Sequence, residues 1–496
     1  MVENIILGFT EIFQFASILS VLIGVTIGLM VGATPGINDT ITLAILIPVT
    51  FGMSSEVAIP LLIGIYVSAC YGGSLPAILL KIPGTVSSIM TTIDGHEMAR
   101  KGEASLAIGI STYSSVFGGI LSSLLLIFFT PFLARQALSF GPPEYFALGI
   151  LGMVGAASVS RDIIKGVIVS LIALLLSTIG LSSQVAFYRF GLGTLYLMDG
   201  IPLVPVMIGL FGINSILESS KIHQKDSFNV GEWERSYNVR KVFLKTKMIK
   251  RLLPTWITSG IIGNIVGIIP GAGMSIGTFL AYNFTKSMNP KIKFGTGEPE
   301  GIAAPEVANN SVVASSMIPL LSLGIPGNAT AALFIAALMI HGLRPGPLLF
   351  ENAPNIAYMM IAGFFVANLF MGPIGLLIGK GLIKVLVKIP KAILYGAIMG
   401  ICVTGCYAVN RSIEDIWVMI FFGLLCYILK AFGFSSIPLI LGMVLGPMIE
   451  NNLWQSLAIS DGSLFIFFTR PISLFILSLS IIVIIVPYYL YKKVKY

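Results

Sequence analysis

The chain has 496 residues, of which 56% are hydrophobic and 10% charged, and its mean hydropathy is +0.94. This composition is far too apolar for a water-soluble globule of this length, so it predicts an all-α polytopic membrane protein. The net charge of +8 does not indicate nucleic-acid binding, because the basic residues lie in short loops between apolar stretches. Retention of Lys and Arg on the cytoplasmic side of a membrane explains that pattern better.

The apolar stretches predict the number and orientation of the membrane segments. A crossing helix needs about 20 apolar residues, which allows roughly eleven to thirteen crossings or half-crossings. The first basic residue is Lys81, so the N-terminus lacks the positive region of a cleavable signal peptide. Glu3 and Glu11 favour an N-terminus outside the cell, and the basic tail at residues 491–496 predicts a cytoplasmic C-terminus.

Four polar breaks interrupt the apolar stretches. The first covers residues 32–40 and the second contains Ile82-Pro83-Gly84-Thr85, whereas the third and fourth, at Pro270-Gly271 and Ile325-Pro326-Gly327-Asn328, lie in the second half. A Pro-Gly step ends a helix and frees backbone groups, which persist at membrane depth only where protein or a water-filled cavity satisfies them. Paired broken helices in two halves of a chain therefore indicate a transport site.

The spacing of the breaks indicates an internal repeat. Four positions recur at one offset (263 − 28 = 235), pairing Gly28 with Gly263, Gly32 with Gly267, Pro35 with Pro270 and Gly36 with Gly271. The other Pro-Gly pair recurs at a longer offset (326 − 83 = 243), which a small insertion explains. We predict two membrane repeats, residues 1–217 and 252–496, related by inverted or parallel duplication and joined by a basic cytoplasmic linker over residues 218–251.

The breaks supply the groups that an anion and a coupling cation require. A half-helix N-terminus directs N–H groups at an anion, while hydroxyl, amide and carbonyl oxygens can hold a hard cation such as sodium. The predicted substrate-binding residues are Pro35, Gly36, Asn38, Pro83, Gly84, Thr85, Ser87, Pro270, Gly271, Gly273, Ser275, Pro326, Gly327, Asn328 and Thr330. The predicted coupling-ion residues are Asn38, Asp39, Glu306, Asn309 and Asn310. Any one of them alone could be a helix kink or loop cap, but together they favour a transport site.

Enzyme motifs find little support in the sequence. His96-Glu97-Met98-Ala99-Arg100 begins like a zinc motif but lacks the second histidine, and no P-loop is present. The letters G-x-S-x-G occur once, at Gly273-Met274-Ser275-Ile276-Gly277, but the chain has only three histidines that could serve as the base of such a serine. The four cysteines have no partner at metal-ligand or redox spacing and are predicted to be buried thiols. We therefore expect no catalytic residue, no cofactor and no metal beyond a sodium ion.

Four longer segments resemble a known family. They are residues 71–109, 267–273, 294–350 and 445–453, and the most specific parts are Pro-Glu-x-Ala-Asn-Asn around Glu306 and the Ile-Pro-Gly segments. Over nearly its whole length the chain resembles the large membrane subunit of tripartite tricarboxylate transporters, the TctA family. Where relatives commonly read Pro-Gly-Leu-Gly-Pro, this chain has Pro35-Gly36-Ile37-Asn38-Asp39, which adds an amide and a carboxylate.

The resemblance implies a permease subunit in the bacterial inner membrane, working with a small membrane subunit and a periplasmic substrate-binding protein. Such systems import tricarboxylates or related carboxylates, and a sodium or proton gradient is thought to drive the uptake. Analogy with other carriers built on paired hairpins points to inverted repeats and an elevator-like motion. The alternatives are a stand-alone carboxylate carrier or, from another class, an intramembrane enzyme or scaffold.

Overall fold

The computed structural model describes residues 2–34, 36–158, 160, 162–182, 187–191, 193–221, 239–386 and 391–494. The helices of the first half are α1 Val2–Ile12, α2 Phe15–Gly32, α3 Asp39–Leu46, α4 Ser55–Gly72, α5 Ser74–Leu80, α6 Thr91–Met98, α7 Ala104–Ala137, α8 Pro142–Ser158, α9 Ile163–Ser177, α10 Leu203–Ile208 and α11 Asn214–Lys221. Those of the second half are α12 Thr246–Ile268, α13 Gly273–Met288, α14 Pro299–Ser315, α15 Met317–Leu323, α16 Ala329–Ile340, α17 Leu349–Asn352, α18 Pro354–Leu386, α19 Lys391–Asn410, α20 Ile413–Ala431, α21 Ile437–Ile459, α22 Ile466–Thr469 and α23 Pro471–Val494. Between α9 and α10, the short strands β1 (Gly180–Leu181) and β2 (Tyr188–Arg189) pair antiparallel.

The helices have the lengths and surfaces of a membrane protein. In the described residues, four helical stretches are long and apolar enough to cross a bilayer: Phe15–Gly32, Ser55–Leu80, Thr91–Ala137 and Pro354–Leu377. Large apolar side chains on the outside, among them Phe128, Leu377, Trp417 and Phe475, are more than 60% exposed and suit contact with lipid. The prediction of an all-α membrane protein is confirmed, while the count of eleven to thirteen crossings stays a prediction.

Glycines bring the first long helices into close contact. Gly24, Gly28 and Gly32 lie along one face of α2, and a β-carbon on any of them would overlap a backbone carbonyl of α4. In the second half, a β-carbon at Gly263 of α12 would lie 2.7 Å from the Ala308 carbonyl oxygen of α14. Small residues therefore let both helix pairs pack backbone against backbone, as the glycine spacing indicated.

Two long helices bend and then end at the Ile-Pro-Gly breaks. Helix α4 bends at Gly73 into α5, after which the Ile82 amide donates to the Pro76 carbonyl at 3.3 Å and Gly84 donates to Gly73 at 3.0 Å. Helices α14 and α15 follow the same course toward the fourth break. There the Ile325 amide donates to the Pro319 carbonyl at 3.2 Å, and the Gly327 amide donates to the Ser316 carbonyl at 3.3 Å. The freed backbone groups at each break are therefore satisfied by a turn onto the preceding helix.

The predicted linker between the halves lies largely outside the described residues. Helix α11 ends at Lys221, a 3₁₀ turn covers Val239–Val242, and α12 begins at Thr246. The cytoplasmic side and the bounds of the two predicted repeats therefore remain predictions.

Candidate functional site

The four breaks meet at one cavity of about 230 Å³. Its wall consists of residues 38–40 from the first break, 86–87 from the second, 271–276 from the third and 328–330 from the fourth, with Ile437 at the start of α21. Four segments that are distant in sequence are thus brought to one small space, which has polar side chains on a mostly apolar wall.

Two asparagines begin helices at this cavity in the same way. The Asn38 side-chain oxygen accepts from the Ile41 amide at 2.8 Å and caps α3, and the Asn328 oxygen accepts from the Ala331 amide at 2.7 Å and caps α16. An N-cap satisfies only one of the free N–H groups of a first turn. In α3 the Asp39 carboxylate interacts with two others, the backbone N–H groups of Asp39 and Thr40. Helices α3 and α16 therefore both present their positive ends to the cavity.

A buried carboxylate links the first break to the fourth. Asp39 is 3% exposed, and its Oδ2 accepts from the Thr330 hydroxyl at 2.5 Å. The Thr40 and Thr330 hydroxyl oxygens lie 2.7 Å apart, and since Thr330 gives its only hydroxyl hydrogen to Asp39, Thr40 is the donor of that contact. Three side chains from two breaks form one hydrogen-bonded chain.

Backbone contacts hold the third and fourth breaks together. The Gly271 amide donates to the Gly327 carbonyl at 2.8 Å, and Gly271 has a φ of +83°. A β-carbon at Gly271 would lie 2.5 Å from the Ala156 nitrogen, so only glycine suits this position. Helix α13 then begins at Gly273 and directs its first turn into the cavity.

A fully buried tyrosine, Tyr66, holds the side chain of Asn328 in place by a hydrogen bond. The Asn328 Nδ2 donates to the Tyr66 hydroxyl at 2.9 Å, and that hydroxyl lies 3.2 Å from the Ser316 hydroxyl. Tyr66 is not among the predicted site residues, because it lies within an apolar stretch. A buried tyrosine hydroxyl needs a hydrogen-bond partner, so the sequence could have indicated that Tyr66 has one. No local sequence pattern identifies Asn328 as that partner.

The structure places the predicted substrate-binding residues in two groups. Those lining the cavity are Asn38, Ser87, Gly271, Gly273, Ser275, Asn328 and Thr330, together with the coupling-ion candidate Asp39. Those that shape the breaks without lining it are Gly36, Pro83, Gly84, Thr85, Pro270, Pro326 and Gly327. Pro35 lies outside the described residues. The wall residues that the prediction omitted are Thr40, Val86, Ala272, Met274, Ile276, Ala329 and Ile437.

The other coupling-ion candidates lie in a separate buried network. Glu306 of α14 is fully buried, and four hydroxyl groups donate to its carboxylate: Ser74 at 2.6 Å, Ser115 at 2.9 Å, Ser111 at 3.0 Å, and Thr91. Asn309 donates to the Cys70 carbonyl at 3.1 Å, and the Asn310 amide nitrogen lies 3.4 Å from the Met371 sulfur. These contacts tie α14 to its neighbours, and none of the three residues lines the cavity.

The acidic residue of helix α6, which follows the second break, also has a structural role. Asp94 is fully buried and accepts from the amides of Gly295 at 2.8 Å and of Gly297 and Glu298 at 2.9 Å. The Tyr282 hydroxyl donates to its other oxygen at 2.9 Å. This carboxylate therefore holds the turn that leads into α14.

A cation at the cavity would rely on oxygen ligands of several kinds. Within the described part of the chain, no three His, Cys, Asp or Glu side chains converge as a metal site does. The Asp39 carboxylate, the hydroxyls of Thr40 and Thr330, and nearby backbone carbonyls are the ligand types that suit sodium.

Comparison with known proteins identifies the family of the chain. The model of the tripartite tricarboxylate transporter TctA family matches residues 18–441, a range that contains all four breaks. The chain belongs to the TctA family. The membership predicted from the motifs is thereby confirmed, and this TctA protein is a transporter component in a membrane.

Two relatives from Agrobacterium vitis are similar to this TctA protein. An uncharacterized 52.8 kDa protein in the TAR-I ttuC' 3' region is 35% identical over 491 residues, covering 98% of this chain and 96% of the relative. An uncharacterized protein in the TAR-II ttuC' 3' region is 36% identical over 225 residues, covering 45% of this chain and 92% of the relative. No solved structure matches the chain.

Proposed function

We propose that this TctA protein is the permease of a secondary transporter, and that the cavity at the four breaks binds the carboxylate it imports. The proposal rests on one observation: the capped N-termini of α3 and α16 and the first turn of α13 all line the same cavity. Free N–H groups and positive helix ends suit a carboxylate, and hydroxyl and amide groups on the same wall can orient it.

The coupling cation belongs to the same proposal. The sequence has no P-loop, so an ion gradient is the expected source of energy. Asp39 supplies a buried carboxylate next to two hydroxyl groups, which could take up either a proton or a sodium ion. We propose that the cation and the carboxylate cross together.

The proposed mechanism uses two inverted repeats and an elevator-like motion. The two hairpins support the repeat because equivalent backbone bonds, Ile82 to Pro76 and Ile325 to Pro319, recur at the offset of the Pro-Gly pair (325 − 82 = 243). Inversion and the elevator-like motion rest on analogy with other carriers built on paired hairpins.

The family resemblance supports a proposal for the partners and the location. We propose a bacterial inner-membrane protein with a cytoplasmic C-terminus, assisted by a small membrane subunit and by a periplasmic binding protein that delivers the carboxylate. A stand-alone carrier is the nearest alternative, because the cavity would serve either arrangement.

The test is uptake of labelled carboxylates into proteoliposomes under an imposed sodium or proton gradient, with and without the two partners. We expect accumulation that collapses when one gradient is removed and that requires the binding protein. Accumulation without the partners would favour the stand-alone carrier. Turnover of a carboxylate in detergent, with no uptake into sealed vesicles, would favour an intramembrane enzyme and contradict the proposal.

Asn328→Ala is the first variant for this assay. It removes the cap of α16 and one of the two partners of the Tyr66 hydroxyl, so we expect uptake to fall at least about tenfold while the protein still folds and inserts. Asn264→Ala is the matched control, because that buried asparagine bonds only within its own helix, to the Gly260 carbonyl at 2.9 Å, and does not line the cavity. Normal uptake by Asn328→Ala would remove Asn328 from the site.

A further inference from the structure

A second cavity shares no wall residue with the cavity at the four breaks. It measures about 390 Å³ and lies between α7, α18 and the segment that contains the 3₁₀ turn Val239–Val242. Side chains such as Val116, Phe243 and Leu376 form its wall, and among the described wall residues none is charged. We call this space the lateral groove.

Close packing of the backbone fixes the walls of the lateral groove. A β-carbon at Gly109 of α7 would lie 2.1 Å from the Val242 carbonyl oxygen, so the 3₁₀ turn rests directly on that helix. On the other side, a β-carbon at Gly372 of α18 would lie 2.9 Å from the Val116 side chain. The next residue, Pro373, lies inside α18 and cannot donate the backbone bond of a regular helix. The groove therefore follows from the course of the backbone.

The lateral groove opens toward the outer surface of the protein. Leu377 of α18 is 75% exposed and Phe243 is 56% exposed, so the apolar wall continues to the outside. In a bilayer this surface faces lipid, whose hydrocarbon is as apolar as the wall. A hydrocarbon chain is therefore the occupant that the wall suits.

The chain on both sides of Phe243 is strongly basic. Residues 239–251 contain six Lys or Arg and no acid. Lys241 and Lys245 each lie two residues from Phe243 and are exposed, as are Lys247 and Lys250. Among the described residues, no carboxylate pairs with these four lysines. Positive charge therefore lies beside the apolar wall, and no acid in the described part of the chain neutralises it.

The size of the lateral groove argues against a protein helix as its occupant. A helix about 10 Å across fills roughly 80 Å³ for each ångström of its length, so the groove holds only about one turn. A crossing helix has about 20 residues. An acyl chain is narrower and flexible, and a lipid with an anionic headgroup also supplies the charge that the lysines lack.

We propose that the lateral groove binds an anionic phospholipid, with an acyl chain along the apolar wall and the phosphate group beside Lys241 and Lys245. Basic side chains at the membrane surface attract anionic lipids, and burial of the chain adds to the affinity. This lipid site is separate from the carboxylate cavity and goes beyond the proposed function.

The test measures how readily lipids of different charge reach the lateral groove. The full-length protein with Leu377→Cys carries a fluorophore at the rim, since Leu377 is exposed and the four native cysteines are buried. In nanodiscs of phosphatidylcholine, a nitroxide-labelled phosphatidylglycerol or phosphatidylcholine is added as the quencher. We expect half-maximal quenching at an at least about fivefold lower fraction of the phosphatidylglycerol.

Two pairs of substitutions separate the lysines of the groove from basic residues in general. Lys241→Gln combined with Lys245→Gln should abolish the preference for phosphatidylglycerol. Lys291→Gln combined with Lys293→Gln is the matched control, because it removes two exposed lysines from the loop between α13 and α14, and it should retain the preference. Equal quenching by the two lipids, or a preference that survives loss of Lys241 and Lys245, would overturn the proposal.

Thermal unfolding in detergent provides a second measurement without a label. Phosphatidylglycerol should raise the unfolding midpoint more than phosphatidylcholine does, and the variant without Lys241 and Lys245 should lose this difference. If the small membrane subunit abolishes the quenching, or if quenching requires deletion of residues 222–236, another polypeptide segment occupies the groove and the lipid proposal is overturned. Carboxylate uptake is not part of this test, so its failure leaves the proposed function standing.

Discussion

At the scale of single residues, the buried carboxylates of this protein fall into two classes. Asp39 lines the cavity and contacts a hydroxyl from another break, whereas Glu306 and Asp94 are surrounded by donors that other helices and loops supply. The four hydroxyl groups around Glu306 satisfy its buried oxygens, and the carboxyl group in turn fixes the helices that carry those donors. The two classes predict different consequences of neutralisation.

Glu306→Gln should destabilise the fold. The amide nitrogen of glutamine cannot accept a hydrogen bond, so two of the four hydroxyl donors lose their acceptor, at a cost of about 1–3 kcal/mol for each unsatisfied group. We expect a lower midpoint of thermal unfolding and, in the protein that remains folded, an unchanged dependence of uptake on the cation gradient.

The dependence of uptake on the cation gradient distinguishes a structural role of Glu306 from a role in binding the coupling ion. Ser139→Ala is a suitable control, because that hydroxyl is exposed and bonds to the nearby Gln136 carbonyl. A Glu306→Gln protein of normal stability whose uptake no longer follows the gradient would instead assign the coupling ion to Glu306.

At the scale of elements, the Pro-Gly breaks work because glycine allows the chain to turn against a neighbouring helix. A β-carbon at Gly327 would lie 2.6 Å from the Gly267 carbonyl oxygen and 2.8 Å from the Ser316 α-carbon. Both neighbours are backbone, which cannot move aside as a side chain can. The fourth break is therefore packed against both the third break and the bend between α14 and α15.

Gly327→Ala should separate the third and fourth breaks. We expect the free energy of unfolding to fall by about 1–3 kcal/mol. We expect uptake to fall by more than this loss of stability explains, because the hydrogen bond from the Gly271 amide to the Gly327 carbonyl positions the cavity wall. Thermal unfolding and proteoliposome uptake measure the two effects. Gly400→Ala in α19 is the matched control, since a β-carbon there meets nothing within 4 Å. Equal unfolding midpoints and equal uptake for the two variants would contradict the close packing proposed at Gly327.

Local chemistry explains how much of the site could be predicted from the sequence. The Ile-Pro-Gly segments end α5 and α15 near where the sequence placed the breaks, because Pro and Gly act on their own backbone. The partners of Glu306 could not be predicted, because Ser111 and Ser115 lie 195 and 191 residues away in sequence. Asp39 and Thr330 are likewise 291 residues apart, and only the packing of the helices brings them together.

At the scale of the whole molecule, polarity is concentrated inside and the outer surface is apolar. The cavity gathers hydroxyl, amide and carboxylate groups from both halves of the chain, while large aromatic and aliphatic side chains face outward. A bilayer favours this arrangement, since polar groups are satisfied within the protein and apolar groups meet lipid. We propose that the transported carboxylate binds in this cavity.

Protection of a single introduced thiol tests that claim most directly. Ser275 is an exposed side chain on the cavity wall, whereas the four native cysteines are buried, so Ser275→Cys offers a selective target for a thiol reagent. Ser287→Cys, near the other end of α13 and exposed, is the control. We predict that a transported carboxylate slows labelling of Ser275→Cys, with half-protection at the concentration that half-saturates uptake, and leaves Ser287→Cys unaffected. Labelling of Ser275→Cys that does not change under concentrations saturating uptake would contradict the account.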